Sequence, residues 1–420
     1  MKSALRKKVL VTLLAATVGV STCVTALPKA EAFDVGSAIG AIIGVSAQYA
    51  AVNQQVNYYD GKGRGEYMGK VKKQVGVNEN DEANAMLADV MTRLSAAVAK
   101  TDPSIKEKPY HYFVNNQKTF NAFCTLGHNM SVNIGLFNTL NYNEDEIAVV
   151  VGHEMGHGQR NDPAEGVKKT FPLSLLAAVV GSQAGNYGEV IGTNILANLG
   201  SAKLVTLPME KKADELAFTY TEAAGYNVGA GAAVWQRVIE KMGENKQSFV
   251  GSIFNPSDHP GNMARRDKYS ERLTAYSNNK VKVDGKTGAI YVNNKVVGTP
   301  AKTDSMSTLE RSYLVAGNLA SVYHIKQATL PMASEQGDAL YLGDKHIMTI
   351  TAGDNGAAWV QNLNFAAKRG PKTSPNTTRE SKEKKATVET SKATKVAGYT
   401  PGSFRAKVEA ARAAQTAQQK

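Results

Sequence analysis

The sequence predicts an α+β protein, with a mainly helical body and a small β-sheet over residues 33–276 and a small α+β accessory domain over residues 277–366. Three observations predict it. Residues 143–158 and 208–225 each carry polar side chains at i and i+4 between helix start and stop signals. Asn129-Met130-Ser131-Val132-Asn133 alternates polar and apolar residues and reads as an edge strand. Beyond residue 276, Val281-Lys282-Val283 and Ile290-Tyr291-Val292 read as short strands joined by polar turns. Leu309 to His324 has helical spacing, and Ala339 to Leu342 and His346 to Thr351 are again strand-like. No internal repeat is visible, and His324 and His346 stand alone, so this region carries no identifiable chemistry.

The first helix contains His153-Glu154-Met155-Gly156-His157, an HExxH motif. Positions i and i+4 share a helix face, so both imidazoles can point at one metal ion. Glu154 lies about 100° further round the axis, able to reach a water without being a ligand. Asn143 is the expected N-cap, with Glu146 at N3 completing a capping box. Acidic residues fill the first turn, where the helix dipole favours them, and the apolar run to Val151 predicts a buried helix.

Two histidines leave a zinc site one protein ligand short, and His₂Glu is an established catalytic set. Glu210-Lys211-Lys212-Ala213-Asp214 supplies the missing carboxylate. Pro208 opens that helix and Gly225 is placed to end it. Glu210 and Asp214 are themselves i and i+4. Glu210 is therefore expected as the third ligand, with Asp214 accepting the outer N–H of a ligating histidine. Taken alone, this acid- and lysine-rich segment would read as a solvated face; the upstream HExxH reverses that. The continuation HExxHxxGxxH is excluded, because Arg160 and Pro163 occupy the glycine and third-histidine positions. The distant helical glutamate fits the gluzincin arrangement.

With these motifs in place, the chain resembles the HtpX / CAAX-prenyl-protease family of zinc metallopeptidases, particularly its soluble periplasmic bacterial branch. The resemblance rests on HEMGH at 153–157 and EKKADELA at 210–217. It extends to Asn121-Ala122-Phe123 through Gly135-Leu136, and to Asp258-His259-Pro260 with Arg265. It covers roughly residues 80–275. Leu126 and His128 depart from the family pattern, and His128 reads as a solvent-facing loop histidine. The resemblance implies a peptidase in which zinc activates water and polarises the scissile carbonyl. Glu154 would be the general base that returns the proton to the leaving amine. It implies a polypeptide substrate added as a strand along Asn129, Met130, Ser131 and Val132. It also places His259 and Arg265 at the site, as transition-state helpers or a gate. His259 is further expected to be able to occupy the zinc's water position, closing the site.

The formal charge of +12 invites a nucleic-acid reading. Its location argues otherwise. Residues 368–420 hold +9 and residues 1–32 hold +4, leaving residues 33–367 at about −1. The basicity belongs to the ends, so no nucleic-acid partner is expected. Lys2 to Lys8, the apolar Val9 to Val20 and Ala30-Glu31-Ala32 read as a secretory signal cleaved after Ala32, which predicts a periplasmic or extracytoplasmic protein. A degenerate lipobox ending at Cys23 is the rival reading. Cleavage at Ala32 leaves Cys124 as the one cysteine, expected as a small buried residue.

Gly36, Gly40 and Gly44 line one face of a short apolar segment, expected to pack closely on the peptidase body or to touch a membrane surface. Leu173 to Gly181 and Val190 to Gly200 are expected as core or a lid. Residues 367–420 form a basic tail, disordered at least over 368–402, that is expected to meet anionic envelope polymers or lipid surfaces. A second function class stays open on the sequence: an envelope-binding or chaperone-like protein with a structural or latent zinc site.

Overall fold

The architecture is set by how one buried helix is anchored at both ends. A computed structural model describes residues 49–50, 53–169, 206–242, 261–325 and 330–367. The expected leader, Cys23, the Gly36/Gly40/Gly44 segment, Leu173 to Gly181, Val190 to Gly200, His259 and the basic tail lie outside the described residues.

After α1 (Arg64–Val75), Asn80 caps α2 (Asp81–Val98) by accepting from the Ala83 amide. Then come a short α3 (Ser104–Glu107), strands β1 (His111–Asn115), β2 (Ala122–Thr125) and β3 (Asn129–Asn133), and α4 (Ile134–Thr139). The HExxH helix α5 (Glu144–Gln159) follows, with α6 (Leu207–Ala223), α7 (Ala230–Met242) and α8 (Asn262–Tyr276) completing the first hydrophobic core. The body is thus mainly helical with a small sheet. Among the described residues no helix is long and apolar enough to cross a membrane.

The sheet order is β1-β3-β2, with β1 parallel and β2 antiparallel to β3. This corrects the expectation of an edge strand at 129–133. Both edges of β3 are hydrogen-bonded to neighbours and all five of its residues are buried. The polar half of its alternation is satisfied internally rather than by water. Asn115 Nδ2 donates to Ser131 Oγ (2.8 Å) and Asn133 Oδ1 (2.7 Å), and Asn129 Nδ2 donates to the Leu126 carbonyl.

Gly127 (φ +75°) and His128 (φ +54°) close the β2–β3 hairpin in the left-handed region. A Cβ on Gly127 would stand 2.6 Å from Arg64 Cβ, so only glycine fits. His128 is buried, not solvent-facing: its ring stacks on Tyr110 and Nδ1 meets the Lys108 carbonyl at 2.7 Å. Burial first, and the Lys108 charge second, push it down to about 4.

The α5 helix begins where its sequence says. The Asn143 side chain accepts from the Glu146 amide at 3.2 Å. The reciprocal half of the expected capping box is replaced, because the Glu146 carboxylate faces Arg237 of α7 instead. Glu144, Asp145 and Glu146 are all buried. Arg93 holds Glu144 at 2.6 Å while lying over the Tyr226 ring, and the Asn227 amide donates to Asp145 at 2.9 Å.

Residues beyond 280, joined by Val228 and Leu273, build a second hydrophobic core. Its elements are β4 (Val281–Val283), β5 (Ile290–Val292), β6 (Lys295–Gly298) and α9 (Thr308–His324), then β7 (Ala333–Gln336), β8 (Ala339–Leu342), β9 (Lys345–Thr349) and α10 (Gly356–Ala367). The order is one antiparallel βββ meander plus helix, used twice. The sequence concealed this repeat. Both central strands carry a register irregularity at the same place, Ile290/Tyr291 and Leu340/Tyr341. The helices also cross over reciprocally: Asn318 of α9 donates to the Ile347 carbonyl of β9, and Asn362 of α10 to the Val297 carbonyl of β6. Matching residues are confined to the strand and turn (Ile290-Tyr291-Val292…Lys295 against Leu340-Tyr341-Leu342…Lys345). The helices differ because α9 also packs on α7 and α8.

Candidate active site

Close approach of α5 and α6 creates the site. Gly152 and Gly156 line one face of α5 opposite Ala213 and Ala217 of α6. A Cβ on Gly156 would stand 3.1 Å from Ala213 Cα. This seam of small residues brings Glu210 and Asp214 against the two histidines. His153, His157 and Glu210 are buried together, and their donor atoms all lie within 4.8 Å of one another.

The spacing can be tested against zinc. Ligands about 2.0–2.1 Å from a tetrahedral ion stand roughly 3.4 Å apart. Here the two Nε2 atoms are 3.1 Å apart, His153 Nε2 is 3.4 Å from Glu210 Oε2, and His157 Nε2 is 3.3 Å from Glu210 Oε1. The residues fit the ion in donor type, burial and separation.

Each histidine is oriented from behind. His153 Nδ1 meets Asp214 Oδ1 at 3.0 Å, the partnership expected from the sequence. His157 Nδ1 meets Asp162 Oδ2 at 2.9 Å, and no sequence argument had selected Asp162. Burial opposes charge on both rings. Hydrogen bonds donated to Asp214 and Glu210 outweigh it at His153, which is raised, and those donated to Asp162 and Glu210 lift His157 to about 10. Zinc and protons therefore compete for these two rings.

Glu154 is 2% exposed and shares this pocket. Its Oε2 accepts the Cys124 amide of β2 at 2.9 Å, while its buried Oε1 has no hydrogen-bond partner among the described residues. Burial raises its carboxyl, partly offset by the two nearby histidines. Cys124 is a half-buried free thiol beside it.

Arg265, expected near the site as a transition-state helper or a gate, lies against the cluster. It is 3% exposed, stacked 3.8 Å over Trp235. Its Nε donates to Asp214 Oδ2 at 2.8 Å, its Nη2 also pairs with Asp214, and Nη1 lies 3.8 Å from Glu210 Oε2. Against the cost of burial, Arg265 and His153 hold Asp214 down at about 2. The resemblance placed Arg265 near the site, and the structure shows it holding Asp214 behind His153 and lying near Glu210. Arg265→Ala is expected to destabilise the fold by about 3–5 kcal/mol, since it strands a buried carboxylate; urea unfolding of the metal-free protein measures this.

Asn129, Met130, Ser131 and Val132 lie on the central strand, and β2 stands between them and the HExxH helix. The structure thus brings together His153, Glu154, His157, Glu210, Asp214 and Arg265. It keeps the four strand residues apart from them.

A family model for peptidase family M48 matches residues 82–273. The metalloprotease LoiP of Escherichia coli is 30% identical over 200 residues, covering 46% of this chain and 73% of that protein. The mitochondrial metalloendopeptidase OMA1 of Arabidopsis thaliana is 31% identical over 160 residues, covering 37% of this chain and 30% of that protein. The matched span contains both site helices, the edge strand beside Glu154 and Arg265. With its buried His-His-Glu cluster at zinc spacing, the chain belongs to peptidase family M48 and is a zinc metallopeptidase.

Proposed function

We propose that this chain is an exported metalloendopeptidase that cuts envelope or misfolded polypeptides, with Glu154 as its general base. The observation that carries the reading is the buried Oε1 of Glu154, without a hydrogen-bond partner among the described residues, beside the His153–His157–Glu210 cluster. Bound zinc supplies a Lewis acid that activates water and polarises the scissile carbonyl. The residues divide the remaining work. Glu154 Oε2 is anchored by the Cys124 amide, which leaves Oε1 to take the water proton and return it to the leaving nitrogen. The raised carboxyl suits that exchange, because a carboxylate of higher proton affinity is the better acceptor of a water proton.

The substrate strand is assigned to β2 rather than β3. The Cys124 N–H points away from β3, towards Glu154, so the outer edge of Ala122–Thr125 borders the reacting group. A peptide pairing there would be held mainly through its backbone, which predicts loose side-chain selectivity. Export is supported by the leader-like first 32 residues, and the HtpX-like periplasmic branch by the HEMGH and EKKADELA motifs. Contact of the basic tail with anionic envelope surfaces belongs to the same reading.

Incubating the purified protein with unfolded casein tests it. Cleavage is expected, its loss on chelation, and its recovery when stoichiometric zinc is restored. Casein left intact by zinc-replete protein would overturn the peptidase mechanism.

A further inference from the structure

We propose that Asp162 is the positioning residue for His157, fixing that imidazole so that Nε2 faces the metal. The inference rests on the reading of His153, His157 and Glu210 as zinc ligands and extends it to a residue that no motif identifies. In an uninterrupted helix, position 162 would lie about 140° round the axis from His157 and could not meet its ring. The chain breaks the helix to bring it back. Asn161 adopts φ +56°, its amide bonding the Gly158 carbonyl at 2.9 Å, and a new helix starts at once over residues 162–169.

Asp162 therefore lies in the first turn of one helix while its carboxylate faces the last turn of another. It is 1% exposed, with Oδ2 2.9 Å from His157 Nδ1 and Oδ1 3.4 Å from Arg160 Nε. A carboxylate offers acceptors only, so it keeps the His157 proton on Nδ1 and the Nε2 lone pair free to ligate. The two histidines thus have separate supports: Asp214, from a distant helix, for His153, and Asp162, five residues along, for His157.

Asp162→Asn separates this role from simple helix starting. Asparagine matches aspartate in size, and in the first turn it gives up only the modest attraction between a carboxylate and the helix dipole. Its amide oxygen would stay with Arg160, turning the NH₂ group towards His157 Nδ1 and demanding the tautomer that cannot ligate. The measurement is zinc affinity of the full chain by chelator competition, alongside thermal unfolding of the zinc-free protein. Asp162→Asn and Asp162→Ala are each expected to lose about 10- to 100-fold in zinc affinity. The zinc-free Asn variant should melt below wild type, having lost the pairing of His157 with a buried carboxylate, while zinc affinity is read separately on the folded protein.

Wild-type zinc affinity in Asp162→Asn, whatever its melting point, would overturn the inference. If Asp162→Ala does not fold, the Asn variant still decides. His157→Ala is the control for the underlying reading. Should it bind zinc as tightly as wild type, the ligand set is wrong and this inference falls with it. Loss in His157→Ala with none in Asp162→Asn overturns the inference alone.

Discussion

Glu154→Gln is expected to lose peptide hydrolysis by at least about 10²–10⁴-fold, the range general-base catalysis contributes, while zinc uptake stays at the wild-type level. Glutamine matches glutamate in size and keeps an oxygen to accept the Cys124 amide, so the β2 anchor survives. What it lacks is a basic oxygen in place of Oε1. The three residues at zinc spacing are untouched, since Glu154 is not among them. Casein cleavage and elemental analysis on the same sample read the two quantities. Full activity would remove Glu154 from the mechanism; lost zinc would show that it supports the ligands.

Arg237→Ala is expected to cost about 3–5 kcal/mol at neutral pH, from breaking a buried ion cluster on one side. Arg237 is 2% exposed and pairs with Glu146 of the HExxH helix and Glu310 of α9, also donating to the Thr139 and Ser305 carbonyls. It ties the catalytic helix to the second hydrophobic core. Two acids share one arginine, so burial and then their mutual repulsion hold the Glu310 carboxyl well above the ordinary glutamate value of 4.5; burial likewise raises Glu146 despite Arg237.

The folded state thus binds more protons than the unfolded chain. Its contribution is fully present below about pH 4.5 and is lost as pH rises through the raised folded values. Urea unfolding between about pH 5 and about pH 9 should show stability falling, with a shallower slope in Glu310→Gln. The Arg237→Ala loss should shrink at acid pH, where both carboxyls can take up protons. A loss independent of pH would mean that packing, not charge, sets the role of Arg237.

Residues that follow helical periodicity were legible from the sequence. His153, Glu154 and His157 stand where four-residue spacing puts them, as do Glu210 and Asp214. Asn143 caps α5, and Gly225, at φ +80°, follows the end of α6. The strand at 129–133 was legible as a strand but not as a central one. Alternation reports side-chain polarity, and the polar positions of β3 are satisfied by Asn115 and loop carbonyls inside the protein. Its place in the sheet depends on β1 and β2, which no local pattern specifies.

The same division accounts for the other surprises. Arg265 reads as a helper at a cleft, yet packing against Trp235 commits it to Asp214. The paired βββα units share a topology and an irregularity, while their helices diverged to suit different neighbours. By itself the sequence determined which residues could carry zinc chemistry, because His153, Glu154, His157 and Glu210 are placed by the short-range geometry of two helices. Tertiary structure alone decided which strand edge faces Glu154, which acids hold the histidines from behind, and how the second core anchors the HExxH helix. Those depend on burial and on contacts between residues far apart in the chain.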